Sequence, residues 1–304
     1  MRLMPASTLL AAALLAGCAS LAPSRTPETM PTPAADTDTS APADSTPPPD
    51  DSLNATAWFQ TSVERDLVYR QTYRAAAAQL AAALADRRWD ALPKEDRGND
   101  PRKLPPAIIV DVDETVLDNS PSQVRQIRER RGFDDANWNV WVNERKAKPL
   151  AGAVEFLNTA TKQGVTVFYI SNRTADQAQA TLDNLRSAGF PIKEASQFLG
   201  LGTVVEGCEQ EGSEKSCRRQ LVGRSYRVLM QFGDQVGDFV QILANTPEGR
   251  RAAIAPYADW IGQRWWALPN PLYGSWEPAL FNNAWSQPAG ERRAQKEAAL
   301  DDAK

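Results

Sequence analysis

Three short runs of the chain are largely apolar, and each stops against polar residues. Residues 107–110 (Ala-Ile-Ile-Val) follow Pro105-Pro106 and run into an acidic stretch; residues 165–170 end in Ser171-Asn172-Arg173; residues 226–232 end in Gly233-Asp234. Rich in β-branched and aromatic residues, the runs read as strands buried on both faces. Residues 198–199 predict a short further strand and residues 265–268 a last one. Between them, helices are expected over 150–163, opened by Pro149 and ended by Gly164, over 174–188, stopped by Gly189, and over 215–223. Strands alternating with helices predict parallel βαβ units with right-handed crossovers, an α/β fold with a doubly wound parallel sheet.

The flanks carry other patterns. Asn54 or Thr56 can cap an Ala-rich helical segment running to about Arg87, with Trp58, Val63, Leu67, Tyr69 and Tyr73 on its apolar face. Residues 119–150 do not continue a sheet. Two polar helices, 123–131 and 137–146, the second carrying Trp138 and Trp141, form an insert where a cap would sit. At the N-terminus, Arg2 precedes an apolar run over 9–16 that is too short to span a bilayer and reads as a secretory signal. Its end, Leu15-Ala16-Gly17-Cys18, resembles a bacterial lipobox, in which Cys18 is lipidated, and Ala19 after it resembles outer-membrane sorting. Residues 19–51, rich in Pro, Thr, Ser, Ala and Asp, cannot bury enough apolar surface to order themselves. The expected organisation is a signal peptide over 1–17, a lipidated tether over 18–52, a folded domain over 53–288 and a charged tail over 289–304.

Composition narrows the chemistry. Among 304 residues there is no histidine, which removes Ser-His-Asp triads, Cys-His dyads and His-ligated zinc. The net charge of -4 gives no footprint for a nucleic-acid polymer. What remains is carboxylates, Lys, hydroxyls and a hard metal. Asp111, Asp113, Glu114 and Asp118 follow the first strand, where open α/β sheets bind ligands. Asp111 and Asp113, two apart on extended backbone, can face one crevice, where a pair of carboxylates can hold a divalent cation, attack and move protons. Taken singly, an Asp-x-Asp pair marks a solvated turn, a strand-end Ser a turn former, a Lys at a helix start a surface charge and Gly-Asp a loop. Here Asp111/Asp113, Ser171, Lys215 and Asp234/Asp238 occur in order at successive element ends. With Cys18 lipidated, export to an oxidising compartment favours pairing of Cys208 with Cys217.

Asp111-x-Asp113-x-Thr115 after a hydrophobic strand resembles the first motif of the haloacid dehalogenase superfamily, and Ser171, Lys215 and Asp234/Asp238 resemble the other three. Residues 138–142, 148–157, 168–173 and 268–277 look like the bacterial class C acid phosphatases, a similarity over roughly 55–285. The chain departs from that pattern at Gln235, where the family has Asn, and in a longer Cys loop. The resemblance implies an outer-membrane lipoprotein phosphatase acting on nucleoside monophosphates and other phosphomonoesters. It implies Asp111 as nucleophile and Asp113 as acid and base. Mg²⁺ would be held by Asp111, the Asp113 carbonyl and Asp234, with Asp238 in support. Ser171 and Lys215 would bind phosphoryl oxygens, Asn172 and Arg173 would lie at the substrate, and Trp138 and Tyr273 would flank a base. A homodimer is compatible with this reading. The rival readings are a binding lipoprotein on the same scaffold and a phosphotransferase to alcohol acceptors. For the anchor, Cys18→Ser should abolish incorporation of radioactive fatty acid and leave the protein unprocessed or mis-sorted; equal labelling of mutant and wild type would refute the lipobox.

Overall fold

The computed structural model describes residues 52–303, so the expected signal segment, Cys18 and the tether up to residue 51 lie outside the described residues. Two helices come first, α1 (Ser52–Thr61) and α2 (Val63–Ala85), broken at Ser62, whose hydroxyl caps α2 by accepting from Arg65 N at 3.2 Å. The buried stripe of α2 is Tyr69, Tyr73, Ala76, Leu80 and Ala83, spaced by alternating fours and threes. Trp58, Val63 and Leu67, expected on that face, are instead 37%, 68% and 57% exposed. Leu67 stands two residues before Tyr69, roughly 160° away around a helix at about 100° per residue, so it cannot share the stripe.

The described residues then form a five-stranded parallel sheet in the order β5-β4-β1-β6-β7. Its members are β1 (Pro106–Val110), β4 (Thr166–Thr174), β5 (Phe198–Leu201), β6 (Arg227–Gly233) and β7 (Trp265–Ala267). The two-residue strands β2 (Leu117–Asp118) and β3 (Lys148–Pro149) pair antiparallel outside it. They bracket the insert, which holds α3 (Ser120–Arg128) and α4 (Asp135–Glu144). Pro149 therefore belongs to a strand, and α5 (Ala153–Lys162) begins only after Gly152 turns the chain at φ 86°. Next come α6 (Ala178–Ser187) and α7 (Ser216–Ser225). An unexpected α8 (Pro247–Ile254) is capped by Thr246, and the tail forms α9 (Ala289–Ala298).

Within β1 the side chains alternate between two cores. Ile108 and Val110 pack in the layer that includes Tyr73, Phe156 and Phe232, while Ala107 and Ile109 pack with Phe168, Val222 and Trp265. The chain winds outward on both sides of β1, through β4 and β5 one way and β6 and β7 the other. A reversal of this kind leaves a crevice at the carboxyl end of the central strand. Asp111 is the residue that follows it.

Candidate active site

Asp111 still bonds to the sheet, its amide donating to Phe232 O at 2.9 Å, and the residue is 6% exposed. The backbone then reverses at Glu114, which adopts φ 54° and donates to Leu117 O at 2.9 Å. Two hydroxyls from α2 clamp the turn: Tyr69 donates to Glu114 O and Tyr73 to Thr115 O at 2.8 Å. The second N-terminal helix thus fixes the loop that carries the acids.

Lys215 reaches this loop from the start of α7. Its ammonium donates to Asp111 Oδ1 at 2.5 Å, to Asp238 Oδ1 at 2.7 Å and to Ile170 O at 2.9 Å, which uses all three of its donors. Burial alone would pull this ammonium below its ordinary pKa; Asp111 and Asp238 outweigh burial and hold it above. The segment before it is tied down by a Cys208–Cys217 disulfide with Cα atoms 5.6 Å apart.

The turn after β6 supplies the remaining acids. A Cβ on Gly233 would lie 2.2 Å from Asp238 Oδ2, so this close approach requires glycine. Asp238 Oδ2 accepts from Gln235 N at 2.8 Å. Asp234 Oδ2 accepts from Gln235 Nε2 and Asn270 Nδ2, both at 2.8 Å, and its Oδ1 from Thr115 Oγ1 at 3.3 Å. One oxygen each from Asp111, Asp234 and Asp238 lies within 4.8 Å of the others. Burial drives Asp234 up to about 7, with Asp238 adding repulsion, and burial raises Asp111 against the pull of Lys215. Fully ionised, three carboxylates, those of Asp111 and Asp238 buried and that of Asp234 half-buried, would outnumber the one ammonium by two. An all-oxygen donor set with that surplus fits a divalent hard cation, so these residues can hold a metal ion.

Asp113 is held differently. Its Oδ1 accepts from Arg173 Nε at 2.9 Å, Arg173 Nη2 at 2.8 Å and Asn119 Nδ2 at 2.8 Å, and its Oδ2 accepts from Ser171 Oγ at 3.2 Å. Arg173 is 2% exposed, further bonded to Thr181 and Asn119. The sequence places it at the substrate; the fold buries it behind Asp113, because β4 runs on through Thr174 and turns its side chain inward. Asn172 is exposed, with its Oδ1 taken by Arg218 Nη2 at 2.7 Å.

Trp138 is half-buried at the edge of the insert, its ring facing the Arg173 guanidinium at 5.4 Å and Phe133 at 6.3 Å. Tyr273, also half-buried, donates its hydroxyl to Glu114 Oε2. Trp141 is buried with its indole N–H on Asn119 Oδ1 at 2.8 Å, whereas Trp276 is exposed. The fold therefore brings Asp111, Asp113, Ser171, Lys215, Asp234 and Asp238 together. It adds four residues that had no role in the sequence reading: Glu114, Asn119, Arg218 and Asn270. Glu114 is fully buried, accepts Asn119 N at 2.6 Å and is raised in pKa by burial and by Asp113. Its presence in an acid run was the one local signal; the others are defined only by partners distant in sequence.

Comparisons with known proteins agree with this geometry. Residues 53–276 match the family described as HAD superfamily, subfamily IIIB (Acid phosphatase). The class C acid phosphatase from Bacillus anthracis superposes with a TM-score of 0.71 at 31% identity, covering 83% of this chain and 98% of that one. Its tungstate-bound crystal structure gives 0.72 at 30% identity with the same coverage. Acid phosphatase 1 of Solanum lycopersicum is 26% identical over 178 residues, 59% of this chain, and a stem 31 kDa glycoprotein of Glycine max 25% identical over 166 residues, 54% of it. These matches span 61% and 58% of the two relatives' own lengths. The sheet, the order of the acids along it and a family match over most of the folded region agree: the chain belongs to the subfamily IIIB acid phosphatases of the haloacid dehalogenase superfamily.

Proposed function

We propose that this protein is a Mg²⁺-dependent phosphomonoesterase that works through an aspartyl-phosphate on Asp111. The observation that carries the reading is the buried Asp111 carboxylate, locked by Lys215 beside Asp234 and Asp238 at the carboxyl end of the central strand. Phosphoryl transfer requires positioning and charge neutralisation above all. A carboxylate oxygen of Asp111 attacks phosphorus as the bond to the ester oxygen breaks. The leaving alkoxide takes its proton from Asp113. A water then attacks the phosphorylated Asp111, giving its proton to Asp113, which frees phosphate and restores both acids. Arg173 and Asn119 occupy Asp113 Oδ1 and leave Oδ2, shared only with Ser171, as the oxygen that carries the proton. Lys215 shields Asp111 from the substrate's charge. Mg²⁺ held by Asp111, Asp234, Asp238 and the Asp113 carbonyl would neutralise phosphoryl oxygens.

Nucleoside monophosphates are the proposed substrates because Trp138 and Tyr273, both half-buried aromatics, stand beside the acid loop on the cap and the C-terminal segment. Action at the cell envelope through a lipid on Cys18 is part of the same proposal, supported by the Leu15-Ala16-Gly17-Cys18 sequence.

Phosphate release from an aryl phosphate should stop on treatment with EDTA and return with Mg²⁺, and Asp111→Asn should abolish it while circular dichroism stays native. Full activity after thorough chelation, or wild-type release by the variant, sinks the mechanism. Arg173→Lys should lower kcat about 10²-fold, the scale of a misplaced catalytic group, with KM little changed. A rise in KM with kcat intact would return Arg173 to substrate binding. Stacking is worth about 1–3 kcal/mol per base, so Trp138→Ala should cost roughly ten-fold or more in kcat/KM for a nucleoside monophosphate. A small alkyl phosphate should be nearly unaffected. Equal losses on both would mean that Trp138 acts only by packing on Arg173.

A further inference from the structure

A second cationic site lies away from the carboxylates. Lys215 stands at the start of α7; at its far end, about 15 Å along a ten-residue helix, Arg97 binds the carbonyls of Gly223 and Tyr226. Beside Arg97 opens a surface cleft of about 390 Å³ whose lining includes Arg88, Asp90, Lys94, Trp260 and Arg264.

Arg264 is the unusual member. Its guanidinium lies over the rings of Trp89 and Trp260, 4.8 and 4.5 Å from their centroids. Among the described residues it has no hydrogen-bond acceptor and no carboxylate partner, and its Nε is buried without one. Other arginines withdrawn from solvent keep an orphaned nitrogen too, at Arg218 Nε, Arg219 Nη2 and Arg227 Nε, but each of them has acceptors for the rest of its guanidinium. Arg97 is bidentate to Asp90 at 2.7 Å, Arg173 holds Asp113, Arg219 holds Asp96 at 2.6 Å, and Arg227 serves the carbonyls of Ala83, Asp86 and Trp89. An unsatisfied buried donor is costly, and a half-buried guanidinium with none of its donors bonded within the described residues is open to an acceptor from outside.

The frame around it is rigid. Arg264 N donates to Trp260 O and its carbonyl accepts from Gln231 N in β6, both at 2.8 Å. Trp89 is fixed by its indole N–H on Leu229 O at 2.8 Å, and Trp260 packs edge-on to Trp265. The Lys94 ammonium also has no partner among the described residues, exposed Arg88 has only Asp86 at 3.7 Å, and the carboxylate in the cleft, Asp90, is already taken by Arg97. Positive charge is therefore in excess here, on a chain whose net charge is -4.

We propose that this cleft is a second, non-catalytic site for a phosphate oxyanion, either free phosphate or the phosphate of a lipid headgroup. The planar guanidinium fork matches a tetrahedral oxyanion, and Lys94 and Arg88 add charge suited to a dianion. Among the described residues the metal-type carboxylate cluster is at the other end of α7, so the cleft binds without turnover.

The test is isothermal titration of the full chain with inorganic phosphate, alongside co-sedimentation with phosphatidylcholine vesicles with and without phosphatidic acid. Two phosphate equivalents are expected in the wild type. Arg264→Gln should weaken one of them at least ten-fold while kcat on an aryl phosphate stays within two-fold, which also certifies the fold. Lys94→Gln, at an exposed position with no packing role, should weaken the same equivalent several-fold. A second equivalent lost in both variants assigns the site to free phosphate. Binding specific to phosphatidic acid and lost in both assigns it to a headgroup. A single equivalent with no phosphatidic-acid preference overturns the proposal, as does a second equivalent or a preference that both variants retain.

Discussion

One ammonium group decides whether the site can exist. Asp111, Asp234 and Asp238 are drawn together by strand ends that the hydrophobic core fixes, and buried like charges repel strongly. Lys215 relieves part of that repulsion, and in doing so ties four pieces of chain to one atom: the end of β1 through Asp111, the middle of β4 through Ile170 O, the turn after β6 through Asp238, and the start of α7. Removing one member of such a buried set leaves an uncompensated charge, at a cost of about 3–5 kcal/mol. Lys215 leaves part of the negative charge unbalanced. That imbalance suits the cluster to holding a metal ion.

A second hub serves Asp113, the acid proposed to move protons. Glu114 holds a left-handed backbone that costs a non-glycine residue on the order of 1–3 kcal/mol. Its carbonyl is fixed by Tyr69 of α2, and its carboxylate by the Asn119 amide at the entry to the insert and by Tyr273 of the C-terminal segment. Three parts of the chain far apart in sequence thereby set the path of the loop on which Asp113 sits. Asn119 closes the circuit, since its side chain also binds Asp113, Arg173 and Trp141. The insert and the N-terminal helices belong to the positioning of the acids as much as to the bulk of the fold.

These two hubs explain which features were legible in the sequence. Strands buried on both faces must be apolar throughout, so β1, β4 and β6 announced themselves, and acids ending an apolar strand had no structural reason to be there. Positions set by contacts remote in sequence gave no such signal. Arg173 looks the same on paper whether it faces substrate or Asp113. Val63 and Leu67 are apolar on the solvent side of α2, which only the partner of that helix reveals. β2 and β3, two residues each, are too short to carry a period. For α8 the local signal existed, Thr246 before Pro247 at a helix start, but the apolar pattern behind it is weak.

The departure at Gln235 shows how a change beside the metal-type cluster can be absorbed. One methylene longer than an Asn, the side chain carries its amide to both segments: Nε2 donates to Asp234 Oδ2 at 2.8 Å and to Tyr273 O at 3.3 Å, and Oε1 accepts from Ser275 N at 3.2 Å. Such reach needs room on the opposite segment. It is found at Gly274, where φ is 150° and a Cβ would lie 2.3 Å from both Gln235 Nε2 and Oε1. Gln235 and Gly274 are therefore one structural decision written at two places. Gln235 orients Asp234 for the cluster and ties the carboxyl end of β6 to the segment that carries Tyr273. The Gln235 amide thus links the metal-type site to the backbone of Tyr273 and Ser275, and it has room to do so because Gly274 has no side chain.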